Sequence, residues 1–312
     1  MLSSIHPVPL QTRLICLQVE YVEKDSVVHA LGETGELEKN APWGLARISH
    51  REGLTFSDFN KYLYAADAGE GVDVYVIDTG TNVDHVDFEG RAHWGKTIPA
   101  NDADEDGNGH GTHCSGTVAG KKYGVAKKAN VYAVKVLKSN GSGTMADVVK
   151  GVEWAANAHT DKVKKGKKGF KGSAANMSLG GGKSPALDRA VNGAVAAGIH
   201  FAVAAGNDNA DSCNYSPAAA ENAVTVGASA LDDSRAYFSN YGKCNDIFAP
   251  GLNILSTWIG SKYCISEREV PPITDFSIRS RIDTPLTLSI TNPGFSPAIV
   301  APYCFSTLVI TS

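Results

Sequence analysis

The sequence predicts an α/β fold in which helices cover both faces of a parallel sheet. Short apolar runs typical of buried strands recur along the chain, and segments of about 10 residues or more with helical spacing separate them. Strands that alternate with helices in this way are typical of a parallel sheet with crossover helices on its two faces. The predicted strands are residues 72–77, 130–137, 175–179, 200–205, 223–228 and 246–249.

The predicted helices have patterns of their own. Residues 111–119 are small and mostly apolar, and they follow a loop. Residues 145–158 carry apolar side chains at helical spacing. A third helix is predicted over residues 185–197, because Pro185 suits the first position of a helix, where the missing N–H leaves nothing unsatisfied.

Composition and charge exclude several classes of protein. The chain has 312 residues, of which 43% are hydrophobic and 20% charged, so we expect one large globular domain or two small ones. The net charge of -4 gives no indication of a nucleic-acid or membrane partner, and no apolar run reaches the roughly 18 residues of a membrane helix. Glycines interrupt the basic run 162–171, which we interpret as a solvated loop.

The N-terminal part is predicted to contain a strand followed by a linker. Residues 19–28 alternate apolar and charged side chains, which predicts a half-buried strand. Residues 30–40 are rich in Gly and Glu and are interpreted as a linker.

The ends of the predicted strands define a candidate site. Ligands of parallel sheets bind beyond the carboxyl ends of the strands, so the residues that follow those ends are expected along one edge. These residues are Asp78, the segment Gly141, Ser142 and Gly143, the segment Ser178, Leu179 and Gly180, and Asn207.

The residue types at this edge suit acyl transfer on a peptide. His110 stands between two glycines at a loop-to-helix entry, where its imidazole can take a proton from a hydroxyl. Asp78 can orient that imidazole, and the amide of Asn207 can donate to a developing oxyanion. Residues 141–143 and 178–180 have short side chains and can pair with a peptide backbone as added strands. A serine nucleophile is expected as the third member.

Two other interpretations of single motifs are less favoured. Asp78-Thr79-Gly80 matches the triplet of aspartic proteases, but those enzymes need two such acids and no second triplet occurs. His110 and His113 could suggest a metal pair, but the usual helical pair has i, i+4 spacing and a Glu base.

Six segments together resemble a known family. Residues 41–260 resemble the subtilisin-type serine proteases (peptidase family S8) of the proteinase K branch, close to the fungal vacuolar and alkaline proteases related to cerevisin. The order Asp, then His is also that of subtilisins. The matching segments are residues 41–49, 76–80, 109–116, 176–182, 204–207 and 248–251.

The resemblance implies roles for named residues. Asp78 would be the triad acid, His110 the general base and Asn207 the oxyanion donor, and residues 141–143 and 178–180 would line the substrate channel as strands. Cys114 would be a buried thiol beneath the histidine.

The resemblance also implies structural features and partners. No cofactor is expected for catalysis, but a structural calcium ion would be held by Asp246 with the backbone carbonyls of Glu221 and Ala223. Cys213 and Cys244 would form a disulfide. The expected partners are peptide or protein substrates, with a propeptide as inhibitor of the intact form. A monomer in the vacuole or outside the cell is expected, although the sequence carries no convincing signal peptide.

The expected domain organisation has four parts. Residues 1–18 match nothing, 19–39 would be a remnant of an inhibitory propeptide and linker, and 40–260 would be an incomplete catalytic domain. Residues 261–312 form a divergent tail, rich in Ser, Thr, Pro and Ile, so the fold is expected to be incomplete at its C-terminal side.

The family's nucleophile segment, Gly-Thr-Ser-Met-Ala-x-Pro, does not occur in this sequence. It should follow Trp258 shortly, but the nearest serine there is Ser266, and the Glu-Arg-Glu after it does not suit a tight turn into a buried helix. The segment 143–146, Gly-Thr-Met-Ala, lacks the serine and belongs to a substrate segment and its helix.

A serine endopeptidase by family, with this chain inactive, is therefore the expected function. Two alternatives are a pseudoprotease that binds peptides without cleaving them, and a non-functional fragment of a mis-spliced gene. The abrupt loss of likeness after Tyr263 and before Val19 motivates the hypothesis that both ends are read-through of unspliced introns.

Overall fold

The computed structural model describes residues 35–268. Four α-helices are named here: α1 (Trp43–Ile48), α2 (His110–Ala119), α3 (Met145–Lys165) and α4 (Pro185–Ala196). Short 3-10 helices cover Val86–Phe88 and Ser212–Asn214. The strands are β1 (Gly35–Lys39), β2 (Lys61–Ala65), β3 (Val72–Asp78), β4 (Ala92–Thr97), β5 (Asn130–Lys135), β6 (Gly172–Met177), β7 (Gly181–Gly182), β8 (Ile199–Ala204), β9 (Tyr215–Ser216), β10 (Val224–Ser229), β11 (Ile247–Pro250), β12 (Ile254–Thr257) and β13 (Ile265–Arg268).

The main sheet is parallel, which confirms the predicted fold class. Seven strands pair in the order β11-β10-β8-β6-β3-β5-β4, and every neighbouring pair is parallel. All seven residues of β3 are buried, as expected of a central strand covered on both faces. Since all these strands run the same way, their carboxyl ends, including Asp78, lie along one edge.

Each face of the sheet has its own hydrophobic core. One core surrounds alternate β3 residues such as Val74 and Val76 and includes Cys114 and Val118 of α2. The other surrounds Tyr75 and Ile77 and is closed by apolar residues of α3 and α4. The alternation of β3 side chains thus places α2 on the face opposite α3 and α4.

Helix α3 is longer than the sequence pattern predicts. Thr144 caps its start by accepting the Asp147 N–H at 3.1 Å, and Gly166 ends it with a φ of 56°. The interpretation of residues 162–171 as a solvated loop is therefore wrong for its first half, because lysines in the last turn of a helix are favoured by the helix dipole. Lys162 also pairs with Asp73.

The interpretation of residues 30–40 as a linker is wrong for residues 35–39. These form β1, which pairs with β2 in an antiparallel sheet whose register places Leu37 opposite Leu63. The cross-strand leucine pair supports this two-stranded sheet, although the glycine- and glutamate-rich sequence of β1 favours a loop. The predicted strand 19–28 lies outside the described residues.

A hairpin lies at the C-terminal side. Strands β12 and β13 pair antiparallel, and β12 packs against α2. Ser256 Oγ donates to the His113 carbonyl and Thr257 Oγ1 to the Thr112 carbonyl, both at 2.8 Å. Within residues 35–268, the helices are all too short or too polar to cross a membrane.

Candidate active site

Asp78 and His110 meet at the carboxyl edge of the sheet. Asp78 is the last residue of β3 and is fully buried, and His110 is the first residue of α2. His110 Nδ1 lies 2.8 Å from Asp78 Oδ1 and 2.9 Å from Oδ2. In this arrangement the Nδ1–H donates to the carboxylate, which leaves Nε2 as the nitrogen able to accept a proton.

Glycines allow α2 to approach the end of β3 this closely. Gly109 precedes the histidine with a φ of 101°, a conformation that favours glycine. A Cβ on Gly111 would lie 2.1 Å from the Gly80 carbonyl oxygen and 3.1 Å from Asp78 Oδ1. The glycine on each side of His110 is therefore required by the geometry of the pair.

The surroundings of His110 favour its protonated form. Burial alone would lower the pKa of His110, but the Asp78 carboxylate and the Cys114 thiol together outweigh it, so the pKa lies well above the ordinary 6.5. Cys114 Sγ lies 3.9 Å from His110 Nδ1 and is itself buried. The Asp78–His110 pair therefore stabilises a proton that His110 accepts.

A cleft of about 470 Å³ opens beside His110. The two predicted substrate segments, residues 141–143 and 178–180, both contribute to its walls, as do Met145 and Leu137. The prediction that these segments are strands is wrong for the described chain, where residues 141–143 follow a turn and residues 178–180 lie between β6 and β7. Within residues 35–268, neither segment is paired in a sheet.

Asn207 is not among the residues that line this cleft. It follows Gly206, which has a φ of 106°, and its side chain is exposed. The buried Asn240 fixes this loop by accepting the Asp208 and Ala210 N–H groups at 2.9 and 3.0 Å. In the described part of the chain, the Asn207 amide makes no hydrogen bond.

The segment in which the resemblance predicts a nucleophile contains β13. Ser266 stands opposite Ser256 in the hairpin. Among residues 35–268, the side-chain partners of His110 are Asp78 and Cys114, and no serine hydroxyl is hydrogen-bonded to its ring.

The residues expected to form a disulfide and a calcium site lie near one another in sequence and fold. Cys213 and Cys244 are joined by a disulfide. Asp246 precedes β11, and its Oδ2 accepts the Thr225 N–H at 2.7 Å. Burial raises the pKa of Asp246 above its ordinary 3.8 despite that hydrogen bond. Glu221 and Ala223 lie in the turn just before β10.

Sequence reasoning missed two buried charged residues beside the pair. Lys135 is fully buried and donates to the Thr79 and Leu137 carbonyls, both at 2.9 Å. Asp106 is also buried and accepts hydrogen bonds from the loop that carries His110. The turn-forming residues Gly107 and Asn108 were the sequence signal for the second, because an acid before such a turn can cap the helix that follows.

Comparisons with known proteins agree with this geometry. The model of the subtilase family of peptidases (S8) matches residues 69–279. Its limits differ from the 40–260 expected for the catalytic domain and extend beyond β13.

Among curated relatives, the subtilisin-like serine protease Cla h 9.0101 of Davidiella tassiana is 81% identical over 80% of this chain and 49% of its own length. Alkaline protease 2 of Aspergillus fumigatus is 75% identical over 80% of this chain and 51% of its own. The chain thus spans about half the length of the curated relatives it matches.

A solved structure is similar as well. The crystal structure of a cold adapted subtilisin-like serine proteinase is 46% identical, with a TM-score of 0.67, over 76% of this chain and 80% of that one. Together with the family match, the parallel sheet and the Asp78–His110 pair, this likeness leads to one conclusion. The chain belongs to the subtilase family of serine proteases.

Proposed function

We propose that this chain carries the acid–base half of a serine endopeptidase site and binds extended peptides without hydrolysing them. The observation that carries the proposal is the environment of His110, whose described side-chain partners are Asp78 and Cys114 and include no serine hydroxyl. In the mechanism of the family, the residue at the position of His110 would act as general base, the one at Asp78 would orient it, and the one at Asn207 would donate a hydrogen bond to the oxyanion.

The cleft supports the binding part of the proposal. Residues 141–143 and 178–180 line it with short side chains and are not paired in a sheet. Their backbone groups can pair with a peptide laid between them as an added strand. We infer that peptide or protein substrates bind there in an extended conformation.

The lack of a serine hydroxyl among the described side-chain partners of His110 supports the inactive part of the proposal. Loss of the serine lowers turnover by about 10^6-fold, a magnitude known from subtilisin itself rather than derived for this chain.

A fluorescent peptide tests this proposal. We expect saturable binding by anisotropy, competition between peptides, and no cleavage products by mass spectrometry. A Gly180→Val variant places a branched side chain in the cleft wall, where its Cβ would meet only the Ser216 carbonyl oxygen at 3.3 Å, and is expected to weaken binding. Gly193→Ala, at a position where an added Cβ meets nothing within 4 Å, is the control. Cleavage that requires His110 would contradict the lack of turnover, and the absence of any binding would contradict the peptide site.

We also propose a structural calcium ion at Asp246, with the carbonyls of Glu221 and Ala223. The carboxylate uses Oδ2 for the Thr225 N–H, which leaves Oδ1 for a cation, and its raised pKa reports a carboxylate short of stabilising partners. A hard cation with oxygen ligands would supply that stabilisation. Calcium is expected to raise the melting temperature of the wild-type chain and not that of Asp246→Asn; an equal rise in both would refute the site.

The proposed compartment, the vacuole or the cell exterior, is supported by the Cys213–Cys244 disulfide, because disulfides persist in oxidising surroundings. The propeptide inhibitor, the monomeric state and the domain limits 19–39, 40–260 and 261–312 are parts of the same proposal. Size-exclusion chromatography with light scattering tests the monomer, and a dimer would refute it.

A further inference from the structure

We propose that Asp106 is the positioning residue that holds His110 against Asp78. The inference rests on the proposed role of the Asp78–His110 pair as acid and base, and it adds a residue that takes no part in proton transfer. Asp106 lies four residues before His110 and is only 8% exposed.

The carboxylate of Asp106 organises the loop on both sides of the histidine. Its Oδ1 accepts the Asn108 N–H at 3.0 Å and the Gly109 N–H at 2.9 Å. Its Oδ2 accepts the Thr112 N–H at 2.9 Å and the Thr112 hydroxyl at 2.6 Å. These donors lie before and after His110, so one buried group fixes the backbone from which the imidazole projects.

The same carboxylate reaches the strand that carries Asp78. The Thr79 hydroxyl donates to Asp106 Oδ1 at 2.9 Å and accepts the Gly111 N–H at 2.9 Å. Thr79 also donates its own N–H to Asp78 Oδ1 at 2.6 Å. A continuous set of hydrogen bonds therefore connects the end of β3 to the first turn of α2 through Thr79 and Asp106.

The ionised carboxylate is the group that this position needs. Its five partners all donate, so both oxygens must accept, and a carboxylate does so whereas an amide turns one NH₂ toward donors. Burial would raise the pKa of Asp106, but the hydrogen bonds from Gly109, Thr112 and Thr79 outweigh it and lower the pKa below 3.8. The helix start has no side-chain cap at Gly109, and Asp106 supplies the missing acceptor.

A matched control is available at the other end of α2. Asp87 is also buried and accepts backbone N–H groups, those of Lys122 and Tyr123, at 3.0 and 3.3 Å. It lies beside Gly120, which follows the last turn of the helix, so it supports α2 without reaching Thr79 or the first turn. A purely structural role would make Asp106 and Asp87 equivalent.

The test is an NMR pH titration of His110 in the full chain, assigned by comparison with His110→Ala. Asp106→Asn is expected to lower the pKa of His110 toward 6.5, because the imidazole is no longer held against Asp78. Asp87→Asn is expected to lower the melting temperature and to leave the His110 titration as in the wild type. An unchanged His110 titration in folded Asp106→Asn would overturn the proposal.

A second pair of variants keeps the test decisive if Asp106→Asn fails to fold. Thr79→Val removes the bridging hydroxyl and is expected to lower the pKa of His110, whereas Thr79→Ser retains the hydroxyl and is expected to restore it. Equal titrations in the two variants would overturn the proposal. Because the readout is the imidazole and not hydrolysis, it is independent of whether the chain proves able to cleave peptides.

Discussion

The two halves of the candidate site differ in how the chain secures them. On the base half, Asp78 ends a fully buried strand, and the nine residues of α2 after His110 are all buried. The other half, residues 254–268, is where the resemblance predicts a nucleophile, and we call it the nucleophile half. There β12 packs against α2, but the chain from Gly260 to Tyr263 is exposed and Ser266 lies in a two-stranded hairpin. The comparison teaches that the acid–base pair is a property of the parallel sheet itself, whereas the later segment, in which the resemblance predicts a nucleophile, is an exposed loop and a two-stranded hairpin.

Replacing one glycine by alanine in each half should show most strongly that the base half is more tightly packed. Gly111→Ala would place a Cβ 2.1 Å from a backbone oxygen that cannot move aside, so we expect a loss of about 3 kcal/mol or more in unfolding free energy. Gly260→Ala has a φ of 105° but meets only Cys264 Sγ at 3.6 Å, so a loss of about 1–2 kcal/mol from strain is expected. Urea unfolding measures both, and equal losses would contradict the contrast.

Removing the charge of Asp78 should lower the unfolding free energy by an amount that depends on pH. The pKa of His110 is raised in the folded chain, so its contribution is fully present below pH 6.5 and is lost as the pH rises through the folded pKa. Asp78→Asn leaves a buried imidazolium without its partner, and we expect a loss of about 3 kcal/mol near pH 6 that shrinks at alkaline pH.

Urea unfolding of wild type and Asp78→Asn at several pH values checks this expectation. Glu89→Gln removes an exposed ion pair with Lys121 and is the control, for which little change is expected at any pH. A deficit that grows with pH would contradict the sign of the coupling.

The smallest expected change in stability concerns two serines that lie opposite each other in the β12–β13 hairpin. Ser256 donates to the His113 carbonyl in a buried position, so Ser256→Ala should cost about 1 kcal/mol. Ser266 makes no described hydrogen bond to α2, and Ser266→Ala should change neither stability nor peptide binding. Thermal unfolding compares the two variants, and a larger loss for Ser266→Ala would show that the nucleophile half is more tightly built than described.

Much of the base half could be predicted from the sequence. The mostly apolar run of β3 predicts a buried strand that ends at Asp78, and the glycines beside His110 predict an open helix start. The structure brings the Asp78 and His110 side chains together. The edge strand β4 was missed because its sequence, AHWGKT, mixes polar and apolar residues without a clear period.

The remainder depends on three-dimensional contacts that no short pattern encodes. The turn after Asp106 marks it as a possible helix cap, but its hydrogen bond from Thr79, at the end of a distant strand, is formed only when the chain is folded. The direction of the Asn207 side chain depends on what packs beside it, and the sequence pattern predicts a donor without fixing its orientation. Lys135 is buried at the end of a strand that sequence alone marks only as apolar.

The central proposal is that the Asp78–His110 pair is assembled without a serine that it activates. Treatment with a fluorophosphonate probe, followed by peptide mass spectrometry, tests it most directly, with His110→Ala as the matched variant. We expect no serine adduct that depends on His110, in a chain shown to be folded by circular dichroism. An adduct on any serine that forms in the wild-type chain and is lost in His110→Ala would contradict the claim.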